Sequence, residues 1–312
     1  MTCSLKKILG IIAIAVTAAF PLQATMDTTC EASYCANGCC GHFFVDADVL
    51  YLKAAEEGLS GRYDSIDITN FVENDVFISS LRGKSHEPDF GWHFGMRLGL
   101  GFGFGDSRTG FEAYWTHFNS QTPRNNGENQ NKWKINFNVS DILYGYEYPF
   151  GCNSVLIPFV GLRYANISQQ LNSRFIDTVD GNPLLSIGRL KEKFSGTGPL
   201  FGIRGDQKLG KGFTIYCDLA ASLLFGTFNV KSHTEETLTT GININDLRKN
   251  IDGCQTALDG ELGLRWKGCF YDDIFLTMKL GIEMHRYFDH NQFCGHGDLT
   301  LNGAALTVGI EY

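Results

Sequence analysis

The chain has 312 residues, of which 43% are hydrophobic and 36 are glycine, with a formal net charge of −8 at pH 7. An acidic balance of this size argues against a nucleic-acid partner. Residues 1–24 carry two lysines and no acid, so a chain processed after residue 24 stands at −10.

Those first residues read as a secretory leader. Lys6 and Lys7 precede an apolar run from Ile8 to Phe20, and Ala24 is a small residue at the cleavage point. The run is shorter than the roughly 20 residues of a spanning helix. Residues 25–42 form a Cys-rich segment, with Cys30, Cys35, Cys39 and Cys40 in CEASYCANGCC, and residues 43–312 form the main domain.

From Phe43 onward the pattern has period two, the signature of strands whose side chains alternate between faces. Phe43, Val45, Ala47, Val49 and Tyr51 share one face, with Asp46 and Asp48 on the other. GWHFGMRLGLGFGFG (91–105) keeps Trp92, Phe94, Met96, Leu98, Leu100, Phe102 and Phe104 on one side, against six glycines on the other. Interior glycines make a poor helix, no G-x-G-x-x-G frame fits, and the run is long for a soluble strand. The alternation recurs over ten segments: roughly 43–53, 90–104, 110–119, 133–149, 154–171, 194–209, 212–230, 251–267, 271–288 and 298–312. Within 133–149 the apolar positions change phase, which suggests a bulge near Ser140.

The connections alternate strictly. Residues 54–89, 120–132, 172–193, 231–250 and 289–297 are long, whereas 105–109, 150–153, 210–211 and 268–270 are short. That regularity predicts an all-β, transmembrane antiparallel β-barrel of ten strands, with short periplasmic turns and long external loops. Ile66–Phe71 and Val76–Leu81 flank Asn74-Asp75 as a hairpin too short to span; counted as strands they give twelve. The bulky face would meet lipid, and the glycine face would widen the bore. Trp92, Trp133, Trp266, Tyr148, Tyr271 and Tyr312 would form interfacial girdles, and Trp115 would face lipid mid-strand. The final segment ends on Tyr312 and resembles the C-terminal insertion signal of bacterial outer-membrane barrels, which implies the barrel-assembly machinery as a partner.

The lumen face predicted by this alternation carries acids Asp46, Asp48, Glu112, Asp141, Glu147, Asp206, Asp218, Asp259, Glu261, Glu283 and Glu311, and bases Arg97, Arg163, Arg204, Arg265 and Lys279. They fit a cation-preferring pore lining or a lumen plugged by its own ion pairs. Cys152 and Cys269 fall in short turns, on the periplasmic side with the N-terminal cluster. The cluster's spacings match no zinc pattern, and an exported chain meets an oxidising compartment, so these six are disulfide candidates, including cross-links to other envelope proteins. No metal, cofactor or catalytic residue is expected. His93, His117 and His285 with Asp64, Asp67 or Asp89 are the only candidates for chemistry at the outer mouth, and no spacing singles them out.

Several stretches, in order, resemble the Legionella-type family of pore-forming outer-membrane proteins, found also as major-outer-membrane-protein-like porins of chlamydia-like bacteria. They include FFVDADVLYLK from Phe43, Gly91-Trp92 through Gly101, Tyr114-Trp115-Thr116-His117-Phe118, Gly161-Leu162-Arg163, Ser222–Gly226, Gly263-Leu264-Arg265-Trp266 and Asp298–Gly303. The resemblance spans roughly 43–312 and implies a pore-forming barrel of the outer membrane, with no catalytic residues. The function expected is a porin-like channel for small hydrophilic solutes or ions. The alternative is a structural or adhesive barrel whose lumen is plugged and whose external loops 54–89, 172–193 and 231–250 bind ligands.

Overall fold

A computed structural model describes residues 41–57, 67–73, 76–82, 89–104, 108–122, 130–179, 182–238, 241–271, 274–292 and 297–312. The leader and the Cys-rich segment lie outside the described residues. Thirteen strands follow in chain order: β1 (His42–Glu56), β2 (Asp67–Glu73), β3 (Val76–Arg82), β4 (Trp92–Phe104), β5 (Thr109–Gln121), β6 (Gln130–Tyr146), β7 (Tyr148–Pro149), β8 (Ser154–Val179), β9 (Asn182–Gly210), β10 (Phe213–Leu238), β11 (Gly241–Tyr271), β12 (Ile274–Asn291) and β13 (Gly297–Glu311).

Ten of them form a closed antiparallel ring in the order β6-β5-β4-β1-β13-β12-β11-β10-β9-β8, shut by β6 pairing with β8. The first and last barrel strands meet in register from Phe44↔Glu311 to Glu56↔Leu299, and Phe43 and Tyr312 exchange backbone hydrogen bonds of 2.8 Å. Closure leaves no open sheet edge, the condition for strands to sit in hydrocarbon. β7 is a two-residue piece beyond β6 at the turn end. β2 and β3 pair only with each other, so this hairpin adds nothing to the ring and the ten-strand count holds.

Turn chemistry fits the short end. Between β9 and β10 the chain reverses through Gly210, Lys211 and Gly212, all at positive φ (96°, 53° and 82°). Glycine takes that conformation without the penalty a Cβ brings. On the outer surface a belt of exposed apolar residues encircles this half of the ring, from Val45, Leu98, Ile142 and Leu162 round to Leu264, Ile282 and Val308. Trp92 stacks on Tyr51 at 5.2 Å along the belt's far edge.

Four expectations are corrected. Residues 172–193 and 231–250 are not loops. β8 to β11 run for 26, 29, 26 and 31 residues, and their hairpins close only around 180–181 and 239–240. The turn signals in these stretches, Pro183 and Gly241, stand beside the hairpin ends, and the outer face of the strands is polar, which hid the alternation. There is also no bulge at Ser140, because the ladder runs unbroken through Trp115↔Ser140 and Ser140↔Tyr164. Odd residues of β6 point inward throughout; what changes is which face is oily. Trp133, Ile135, Phe137 and Val139 are buried inside, whereas Ile142, Tyr144, Tyr146 and Tyr148 are exposed outside. Trp133 is therefore no girdle residue: it is fully buried, with its indole N–H donating to Gln169 at 3.0 Å.

Finally, the β4 glycines do not widen a bore. A Cβ on Gly101 would collide with the Phe44 ring, and those on Gly99 and Gly103 would meet the Tyr114 and His42 rings. The glycines make room for inward aromatic rings from β1 and β5.

Candidate functional site

The lumen is the candidate site, and it is stacked in two tiers. The tier level with the outer apolar belt is ionic. Arg97 on β4 donates to Asp48 (3.1 Å) and reaches across to Glu283 on β12 (2.6 Å), with Glu261 at 3.6 Å. Arg163 on β8 holds Asp141 through two N–H···O bonds of 2.7 Å and also reaches Asp259 on β11. Arg204 on β9 grips both oxygens of Glu112 (3.0 and 3.1 Å) and Asp218 (3.0 Å). Arg265 pairs with Asp206 at 2.5 Å, Lys279 with Asp46 at 3.1 Å and Lys267 with Glu311 at 2.6 Å. His285 joins Asp259 (2.6 Å) to Glu283 (3.4 Å), and Tyr216 donates to Glu261 (2.6 Å).

Planar guanidinium forks suit this task, since each can bind two carboxylates at once. Partners lie up to four strands apart round the ring, so the pairs tie the wall across its interior. A cavity of about 140 Å³ remains among them.

Above this tier the lumen is apolar. Leu50 and Leu52 continue the inward face of β1 directly above Asp46 and Asp48. With Phe118, Trp133, Ile135, Phe137, Ile167, Leu190, Phe194, Leu224, Phe228, Tyr287, Leu299 and Leu301 they form one buried cluster. Phe137 on β6 meets Tyr287 on β12 edge-on, with centroids 5.5 Å apart. These two strands are diametrically opposite in the ten-strand ring, so the contact crosses the full bore.

The plug holds a few polar groups. Glu56 accepts from Gln169 (3.2 Å) on one oxygen, and its other oxygen is buried without a partner. Glu192 accepts the Gln292 backbone N–H (3.0 Å) on one oxygen, and its second oxygen is likewise unpartnered. His290 meets Gln255 (3.0 Å) inside a cage of Phe194, Phe228 and Tyr287. Burial raises the Glu56 carboxyl well above its ordinary value, pushes Glu192 up to about 8 and lowers His290 to about 3. At neutral pH Glu192 and His290 sit mainly in their uncharged forms.

The sequence-predicted lumen residues Asp46, Asp48, Arg97, Glu112, Arg163, Arg204, Asp218, Asp259, Glu261, Arg265, Lys279 and Glu283 all point inward and are joined in this network. Glu56, Gln169, Glu192, Gln255 and His290 were missed. Glu56 shares the face of Asp46 and Asp48, a signal the assumed loop boundary concealed. The histidine–carboxylate candidates are not assembled at the mouth. His93 meets the Gln121 carbonyl (3.2 Å), His117 meets Asn138 (2.7 Å) and Asp89 pairs with Lys53 (2.7 Å). His285 lies in the ionic tier, Asp64 falls outside the described residues, and so does the side chain of Asp67. Cys152 sits in the turn before β8, and Cys269 is near the end of β11 at the same rim. Cys30, Cys35, Cys39 and Cys40 fall outside the described residues, and among the described residues no cluster of metal ligands is found.

Comparison with solved structures finds the outer membrane protease OmpT from Escherichia coli, 10% identical with a TM-score of 0.45, covering 87% of this chain and 96% of that one. The toluene transporter TodX from Pseudomonas putida is 9% identical (TM-score 0.34; 87% and 89% covered). The translocator domain of autotransporter NalP from Neisseria meningitidis is 11% identical (TM-score 0.34; 98% and 95% covered). No curated protein matches the chain. Residues 39–308 match the family described as the Legionella pneumophila major outer membrane protein precursor. With that match over nearly all of a closed, apolar-belted barrel, the chain belongs to this family of bacterial outer-membrane proteins.

Proposed function

We infer that the protein is a sealed envelope barrel. Its short turns face the periplasm, its apolar belt sits in lipid, and its extended strands stand outside as a structural and recognition surface. The observation that carries this function is the Phe137–Tyr287 contact across the whole bore, inside a cluster drawn from every side of the ring. A porin needs an aqueous path, and the apolar tier offers none. No catalytic role is assigned to any residue.

A second function, a porin-like channel for small hydrophilic solutes or ions, is favoured by the ionic tier and its cavity of about 140 Å³ beneath the plug. The two functions separate in a planar bilayer. The refolded protein should be silent, and Phe137→Ala with Tyr287→Ala should open stepwise currents that scale with salt. Stepwise, salt-scaled currents from the unaltered protein would overturn the sealed barrel and establish the channel.

A further inference from the structure

One flank of the outer surface is unlike the rest. On the outward faces of β5, β6, β8 and β9, rows of side chains rise from the apolar belt in register. Leu162 lies between Ile142 and Pro199 at the belt's upper edge. The next row up is Trp115, Ser140, Tyr164 and Thr197. Above it come His117, Asn138, Asn166 and Ser195, then Asn119, Asn136, Ser168 and Lys193. The row after that is Lys134, Gln170, Lys191, Lys231 and Arg248. The order is apolar, then aromatic and hydroxyl, then amide, then cation.

A depression of about 550 Å³ lies on these rows, walled by Trp115, Tyr164 and the amide residues and topped by Lys191 and Lys193. On a chain of net charge −8, the described outward side chains of these four strands include no carboxylate. Lys191, Lys231 and Arg248 are direct cross-strand neighbours, a like-charge arrangement that destabilises a sheet. Among the described residues none of the three, nor Lys193, has an ion-pair partner. Elsewhere on the outer face cations are matched, as Lys53 is by Asp89 and Arg286 by Glu57 and Asp298.

We propose that this flank binds the phosphorylated saccharide headgroup of an outer-leaflet glycolipid. Lys191 and Lys193 would take phosphate, Asn136, Asn138 and Asn166 the sugar hydroxyls, and Trp115 and Tyr164 the sugar faces. The acyl chains would run down over Leu162, Ile142 and Phe201. Two features of the site commit it to a lipid. The pocket's lower rim is continuous with the apolar belt, so an acylated ligand keeps its chains in hydrocarbon. Lys193 stands four residues above the Tyr164 row, about 13 Å along the strand, and a lysine stem can reach back toward the headgroup layer.

The test uses the full chain refolded in neutral detergent free of glycolipid. Purified diphosphoryl lipid A (an acylated, doubly phosphorylated glucosamine disaccharide) is added, and lipid retained through gel filtration is measured as phosphate and fatty acid, beside the thermal unfolding midpoint. The wild type should retain lipid and gain thermal stability. Lys191→Gln with Lys193→Gln should bind about tenfold more weakly or worse, as two charge-assisted contacts are lost. Lys191→Arg with Lys193→Arg should restore binding, and Lys53→Gln on the opposite flank should change nothing. Equal retention by the wild type and the glutamine pair would overturn the site, as would equal binding of a phosphate-free analogue. Tight binding of heparin with no retention of lipid A would overturn the lipid in favour of a soluble polyanion. None of these outcomes depends on whether the lumen conducts.

Discussion

Replacing Glu192 with glutamine should make the outer barrel less sensitive to alkali, and the size of the effect follows from where the carboxyl sits. Glu192 is 1% exposed, accepts only the Gln292 N–H on one oxygen and leaves the other unpartnered. Burial is the dominant cause of its raised value, and no cation offsets it. The folded Glu192 keeps its proton up to about pH 8, whereas its ordinary value is 4.5. Between those values the unfolded chain has released the proton and the folded chain still binds it, so stability falls as pH rises. From pH 5 to 7.5 the wild type should lose about 3 kcal/mol relative to Glu192→Gln, at 1.36 kcal/mol per pH unit. Glutamine has the shape of the protonated acid and never ionises. Urea unfolding of both proteins in micelles, followed by the fluorescence of buried Trp133, measures the difference, because every other titrating group cancels between them. Parallel stability curves across pH 5–8 would refute the reasoning.

His290 carries the opposite sign. Its folded value of about 3 lies below the ordinary 6.5, so stability should fall as pH drops through that range, and His290→Phe should flatten the acid limb of the same titration. Arg163→Met should strand Asp141 and Asp259 in the ionic tier and cost about 3–5 kcal/mol, read as loss of the folded, heat-modifiable band on gels. Gly101→Val should block folding through collision with the Phe44 ring and the Phe111 carbonyl, and Phe44→Ala should rescue it in part, as refolding yield would report. If the periplasmic cysteines cross-link the envelope, non-reducing gels should show ladders that Cys30→Ser, Cys35→Ser, Cys39→Ser and Cys40→Ser together abolish; a monomer in both lanes rules this out.

Fold class, strand count and the charged lumen residues level with the belt were legible because the belt writes itself into the sequence. The run from Trp92 to Phe104 can only be a strand with one oily side. What period two cannot say is which side faces in. On β6 the same alternation places Phe137 inside and Ile142 outside, and only the register of the neighbouring strands distinguishes an inverted face from a slipped one. The outer halves of β8 to β11 were unreadable for a related reason. They put polar groups outward and a mixture inward, so no face was uniform enough to mark. Pairings such as Arg97–Glu283 join residues far apart in the chain and three strands apart in the ring, and depend on barrel closure.

The reversal of polarity partway up the wall also constrains how such a chain can be built. Below the reversal, each strand gains from contact with acyl chains as soon as it enters them. Above it, the residues that end up dry, Trp133, Phe137 and Phe194 among them, have nothing to pack against until all sides of the cylinder have arrived beyond the far leaflet. Segments of 26 to 31 residues must therefore be delivered across while their reward is still deferred. Insertion and completion are two separate events in such a molecule, and the second happens all at once.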